Sequence, residues 1–124
     1  MDRRVYERLR RVADEEARSL LRDLPAELRQ RVRGIPVQFE PRPSRAQLRA
    51  GVEPDLMGLF EGEAFAEETS APLPPTVFLF LENIYEEAAH DAVTFRDEVR
   101  RTLMHEYGHF LGLDEDDLFA RGVD

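Results

Sequence analysis

The sequence predicts an α+β fold: N-terminal helices, a short mixed twisted sheet and a C-terminal helix that carries the chemistry. Three observations point there. Apolar residues recur at three and four over residues 2–23, strand-like patterns occupy residues 35–40, 56–60 and 76–81, and helical spacing returns from Thr94 to about Leu111. With 124 residues, the expectation is one domain spanning 1–124 that buries about two thirds of its extended surface.

The first helix carries Val5, Leu9, Val12, Ala13, Ala17, Leu20 and Leu21 on one stripe, which only Glu16 interrupts. Pro25 breaks it, and a short helix over 25–33 closes at Gly34, a residue suited to a helix C-terminus. Residues 35–40 alternate as a strand, and Pro36 favours an edge because it cannot donate to a ladder. Ser44 and Gln47 make a capping box for a brief helix that stops at Gly51. Residues 61–76, rich in Glu, Ala and Pro, read as a long loop and a candidate flap. The unbroken apolar run of 76–81 suggests a strand buried on both faces; on a sheet edge it could bind an extended peptide by strand addition. Thr94, with Asp97 three residues on, reads as the N-cap of the last helix. Phe95, Val99, Leu103 and Phe110 form its core face, and Glu98, Thr102, His105 and His109 run along another. Gly112 supplies the positive φ that lets the chain turn back over the helix end.

Composition removes several classes of chemistry. The chain has no Cys, which excludes disulfides, thiolate ligands and a cysteine nucleophile, and all 17 basic residues are Arg, which excludes a Schiff-base lysine. A content of 42% apolar and 35% charged residues is that of a soluble globular protein. Met1-Asp2-Arg3-Arg4 opens without an apolar leader and no run approaches a membrane span, so the cytoplasm is the expected compartment and no membrane partner is expected. Charge divides unevenly: residues 1–49 hold 13 Arg against 8 acids, residues 50–124 hold 4 against 18. The acidic half attracts cations and repels nucleic acid. In the first helix Arg alternates with Asp14, Glu15, Glu16 and Asp23, which reads as a solvated face and not as a nucleic-acid patch.

The chemistry concentrates in His105-Glu106-Tyr107-Gly108-His109, an HExxH pattern. With three His in the chain, a chance match is of the order of one in a hundred. Residues four apart on a helix share a face, so His105 and His109 can meet one metal ion, and Glu106 is the natural general base. Zn2+ lowers the pKa of bound water to about 7, and a neighbouring carboxylate can take its proton. The implied reaction is metal-assisted hydrolysis, most often of a peptide bond. Catalytic zinc usually has three protein ligands. Glu115 stands where motifs of the form HExxHxxGxx(H/D/E) put the third, with Asp114 and Asp116 as alternatives. Gly108, inside the helix, suits a close approach by a strand or substrate, or plain packing. For the oxyanion donor, Tyr85, His90 and Tyr107 come into view: His90 is expected on the surface far from the His pair, Tyr107 in the core, and Tyr85 fits either a donor or a core role.

Three stretches together resemble the small bacterial zincin-like metallopeptidases with a minimal fold: Leu56-Met57-Gly58-Leu59-Phe60-Glu61-Gly62, the run Val77-Phe78-Leu79-Phe80-Leu81, and the segment from Arg100-Arg101-Thr102-Leu103-Met104 through the motif to Asp117. The resemblance covers about the C-terminal two thirds of the chain. It implies a minimal zincin-like domain, with His105 and His109 as zinc ligands, Glu106 as catalytic base and Glu115 at an acidic third-ligand position where the family more often has Asp. It also implies peptidase activity with a peptide or unfolded protein segment as substrate, held in a shallow cleft. The competing reading is a non-catalytic metal-binding or protein-interaction module on the same scaffold.

Overall fold

The computed structural model describes residues 1–62 and 74–120, except the side chains of Glu115, Phe119 and Ala120. In chain order the elements are α1 (Arg3–Asp23), α2 (Ala26–Val32), β1 (Val37–Glu40), α3 (Arg45–Arg49), β2 (Gly58–Glu61), β3 (Thr76–Phe80), α4 (Leu81–Glu87), α5 (Ala92–Leu111) and α6 (Glu115–Ala120). The sheet has the order β1-β3-β2, with β1 parallel and β2 antiparallel to β3. It is the mixed sheet of an α+β fold, as expected.

The strand 76–81 is the central one, not an edge. Peptide addition to β3 is therefore closed, because both of its edges are already paired. Among the described residues the edge strands are β1 and β2, and β2 is the one that contacts α5. Burial of β3 also alternates: Val77 and Leu79 are sealed in the core while Thr76 and Phe78 are half-buried. Phe78 stacks on Phe80 at 6.3 Å on the opposite face, where Ser44, Gln47 and Ala50 of the α3 region border a recess beside Phe78. That short helix is too small to cover the face fully, so the apolar run is not buried throughout.

Helices α1, α4 and α5 pack together, and α4 and α5 also contact the sheet. Leu9, Ala13 and Leu20 of α1 meet Phe95, Val99 and Leu103 of α5 and Ile84 of α4 in one buried cluster. Glu16, which breaks the stripe of α1, is explained by this seam: its carboxylate faces Arg96 at 3.5 Å and Arg100 at 3.6 Å, and Asp23 takes Arg100 at 2.8 Å. Glu15 likewise pairs with Arg96. The capping box of Ser44 and Gln47 is present, and Asp2 caps α1. The candidate flap falls mostly on residues 63–73, outside the described residues. Among the described residues, no helix is long and apolar enough to cross a membrane.

Candidate active site

Helix α5 begins one turn earlier than Thr94 and Asp97 suggest. Its cap is Asp91, whose carboxylate accepts from both the backbone N–H and the hydroxyl of Thr94 at 2.8 Å. These bonds hold the Asp91 carboxyl below its usual range. Thr94 is thus a donor to the cap, and a carboxylate wins the cap position because it is the stronger acceptor. At the other end Gly112 adopts φ 71° and receives the turn, as expected.

Between these caps, α5 turns Phe95, Val99, Leu103, Tyr107 and Phe110 into the core and leaves His105 and His109 exposed. The two imidazole rings lie 4.5 Å apart at 63°, and donor atoms of His105, Glu106 and His109 all fall within 4.8 Å of one another. Two imidazole nitrogens on successive turns form a donor set that fits a zinc ion. Glu106 differs from both histidines in being only 5% exposed. Its Oε1 lies 3.2 Å from His109 Nδ1. Burial pushes the Glu106 carboxyl above its usual range, while the nearby His105 and the Phe60 backbone amide pull the other way.

A groove of about 430 Å³ runs between β2 and α5, with Met57, Gly58 and Phe60 on the strand side and Thr102, His105 and Glu106 on the helix side. The strand comes this close because Gly58 has no side chain: a Cβ there would meet Thr102 Cγ2 at 2.5 Å and Glu106 Cγ at 3.3 Å. On its other side the His pair borders a second recess of about 600 Å³, shared with Leu113, Asp114, Asp116 and Leu118. Gly108 faces this recess. A Cβ on it would lie 2.6 Å from the Leu113 carbonyl, so the close approach it permits is that of the chain's own return, and not of a strand or substrate.

Glu115 is the first residue of α6, but its side chain lies outside the described residues. Asp114 and Asp117 exchange backbone-to-carboxylate bonds at 3.1 and 2.8 Å, a reciprocal cap that engages both carboxylates. Asp116 is exposed beside the His pair. Tyr85 stacks on His90 at 4.3 Å and meets Phe95 edge-on, away from the groove. Tyr107 is buried, and its hydroxyl is pushed up to about 12 by desolvation.

Two contributors escaped the sequence reading. Arg101 lines the groove beside Glu98, its partner at 3.2 Å, one turn before His105. Helical spacing from the His pair could have found it. The buried Asn83 of α4 donates to the carbonyls of Pro54 and Leu56 and accepts from Arg42, which fixes the segment entering β2. No local signal marks it, because its partners are 27 to 41 residues away.

No curated protein matches the chain. A family model described as zincin-like metallopeptidase matches residues 32–123, from the end of α2 onward. The matched span contains the whole sheet, the groove and the helix with His105, Glu106 and His109. On that match and this architecture, the chain belongs to the zincin-like metallopeptidase family.

Proposed function

We propose that the chain is a zinc-dependent peptidase in which His105, His109 and Glu115 hold the metal and Glu106 is the general base. The observation that carries this reading is the placement of Glu106 at the groove between the edge strand β2 and the exposed His pair. A scaffold kept only for metal binding would need no open cleft beside a buried carboxylate.

Zinc bound there supplies a Lewis acid that acidifies water and polarises a carbonyl. Glu106 takes a proton from the attacking water on a carboxylate oxygen and returns it to the departing amine. The groove favours an extended or unfolded peptide segment, whose backbone can run beside β2 while an apolar side chain rests among Leu56, Met57 and Phe60.

The test combines metal analysis with turnover. Stoichiometric zinc is expected in the wild type and in Glu106→Gln, with loss in His109→Ala and weakening in Glu115→Ala. Cleavage of a mixed peptide library is expected from the wild type alone, falling by at least about a hundredfold in Glu106→Gln. A wild type that takes up no zinc defeats the reading.

A further inference from the structure

Helix α5 holds three arginines, and the fold uses two of them. Arg96 pairs with Glu15 and Glu16 of α1, and Arg100 with Glu16 and Asp23, so both belong to the seam between the two helices. Arg101 lines the groove beside Thr102 and His105 instead. Its ion pair is with Glu98 of its own helix, a contact from Nη1 to Oε1 at 3.2 Å. Glu98 is 16% exposed and Arg101 is 66% exposed, so the carboxylate is the anchored end of the pair and holds the guanidinium at the groove. A guanidinium carries N–H donors on three nitrogens in a planar fork, and a contact through one of them leaves donors for a second carboxylate. An exposed pair of this kind is worth at most about 1 kcal/mol, so a ligand can also displace it.

The surroundings make this cation distinctive. The other ionisable groups bordering the two recesses beside the His pair are the acids Glu98, Glu106, Asp114 and Asp116. Among the described residues that line them, Arg101 is the sole permanent cation, and hence the place where a negative group on a ligand is attracted and not repelled. It stands four residues before His105, about 6 Å along the helix axis. An extended peptide covers that distance in about two residues. We propose that Arg101 is a specificity-determining residue that selects peptides with a carboxylate about two residues from the bond presented to the His pair. The carboxylate is an Asp or Glu side chain or the peptide's own C-terminus, and the wall of Leu56, Met57 and Phe60 receives an apolar side chain beside it. The inference rests on the peptidase reading and names the substrate class of the same groove.

Peptide binding to the full chain without metal tests this, read as fluorescence anisotropy of end-labelled apolar hexapeptides that differ in one group. One is neutral with an amidated C-terminus, one carries an internal Glu and an amidated C-terminus, one has a free C-terminal carboxylate, and one carries an internal Arg. A carboxylate peptide is expected to bind the wild type about three- to fivefold tighter than the neutral one, an advantage that shrinks at high salt. Whether the internal Glu or the free C-terminus gains it tells the two sources apart. Arg101→Gln should erase the advantage, Arg101→Lys should keep part of it, and Arg101→Glu should turn the preference to the Arg peptide. Arg18→Gln, which changes the net charge equally on α1, should leave it intact. The proposal is overturned if the wild type binds the four peptides equally or not at all, if Arg101→Gln keeps the advantage, or if Arg18→Gln removes it as fully. Binding needs neither zinc nor turnover, so failure of the peptidase reading would register in metal content and cleavage and not in this preference.

Discussion

At the scale of single residues, Tyr107 shows how closely the core comes to the site. It lies between the two histidines in sequence, yet it is 4% exposed and its hydroxyl is raised to about 12. In the unfolded chain the same group ionises near 10. The folded value is the higher one, so the stabilisation is complete below about pH 10 and is lost as pH rises from about 10 to 12. The loss should reach roughly 2–3 kcal/mol at the upper end. Chemical denaturation of metal-free wild type beside Tyr107→Phe checks this, since the variant should lack that part of the alkaline slope. Gly108 makes a second residue-scale case. In an exposed helix, Ala in its place would gain about 1 kcal/mol. Here the Cβ meets the Leu113 carbonyl at 2.6 Å, so Gly108→Ala should instead lower the thermal midpoint and displace the start of α6.

At the scale of elements, the decisive joint is the one between α4 and the segment entering β2. Asn83 satisfies the carbonyls of Pro54 and Leu56 from within the fold, and Arg42 closes the cluster by donating to Asn83 and pairing with Glu86. Removing the amide leaves two carbonyls without their donor. Asn83→Ala should cost roughly 1–3 kcal/mol in urea denaturation. It should also loosen Leu56 and Met57 at the lip of the groove, visible as faster exchange in residues 56–61. The same joint marks the boundary of what can be read from sequence. Helices α1 and α5, the α3 capping box and the Gly112 turn were legible because each is written in residues within a turn or two of one another. Their signals are spacing, caps and glycine. The place of β3 at the centre was not legible, because an apolar run looks the same whether partners lie on one edge or two. The cap of α5 slipped by a turn because Asp91 and Thr94 carry equally good local signals, and only the hydrogen bonds separate them. In the site, the His pair and Glu106 followed from spacing alone, whereas the close approach of β2 to Glu106 depends on the pairing of Gly58 with Leu79 and of Phe60 with Val77, which no local signal reveals.

At the scale of the whole molecule, metal binding and folding stability should be linked through the C-terminal return. His105 and His109 sit on one helix that α1, α4, β2 and β3 already hold in place, so a metal on that pair alone bridges a turn that is formed without it. A ligand from α6 changes this, because the metal then ties α6 to α5 across Gly112. Any ion that binds the folded chain and not the unfolded one stabilises it by mass action, about 2.7 kcal/mol at a hundredfold excess over Kd. Thermal unfolding with and without zinc should therefore show a clear rise for the wild type and none for His109→Ala. Glu115→Ala should show a reduced rise. Asp114→Ala should behave differently, since its carboxylate caps α6: its zinc-free midpoint should fall, and its rise with zinc should persist. A zinc-induced rise that survives Glu115→Ala in full but vanishes in Asp116→Ala would move the third ligand to Asp116, the exposed carboxylate bordering the recess beside the His pair. Proteolysis at the C-terminus gives the same answer by another route, because an α6 tied by metal is cut more slowly only when its own side chain holds the ion.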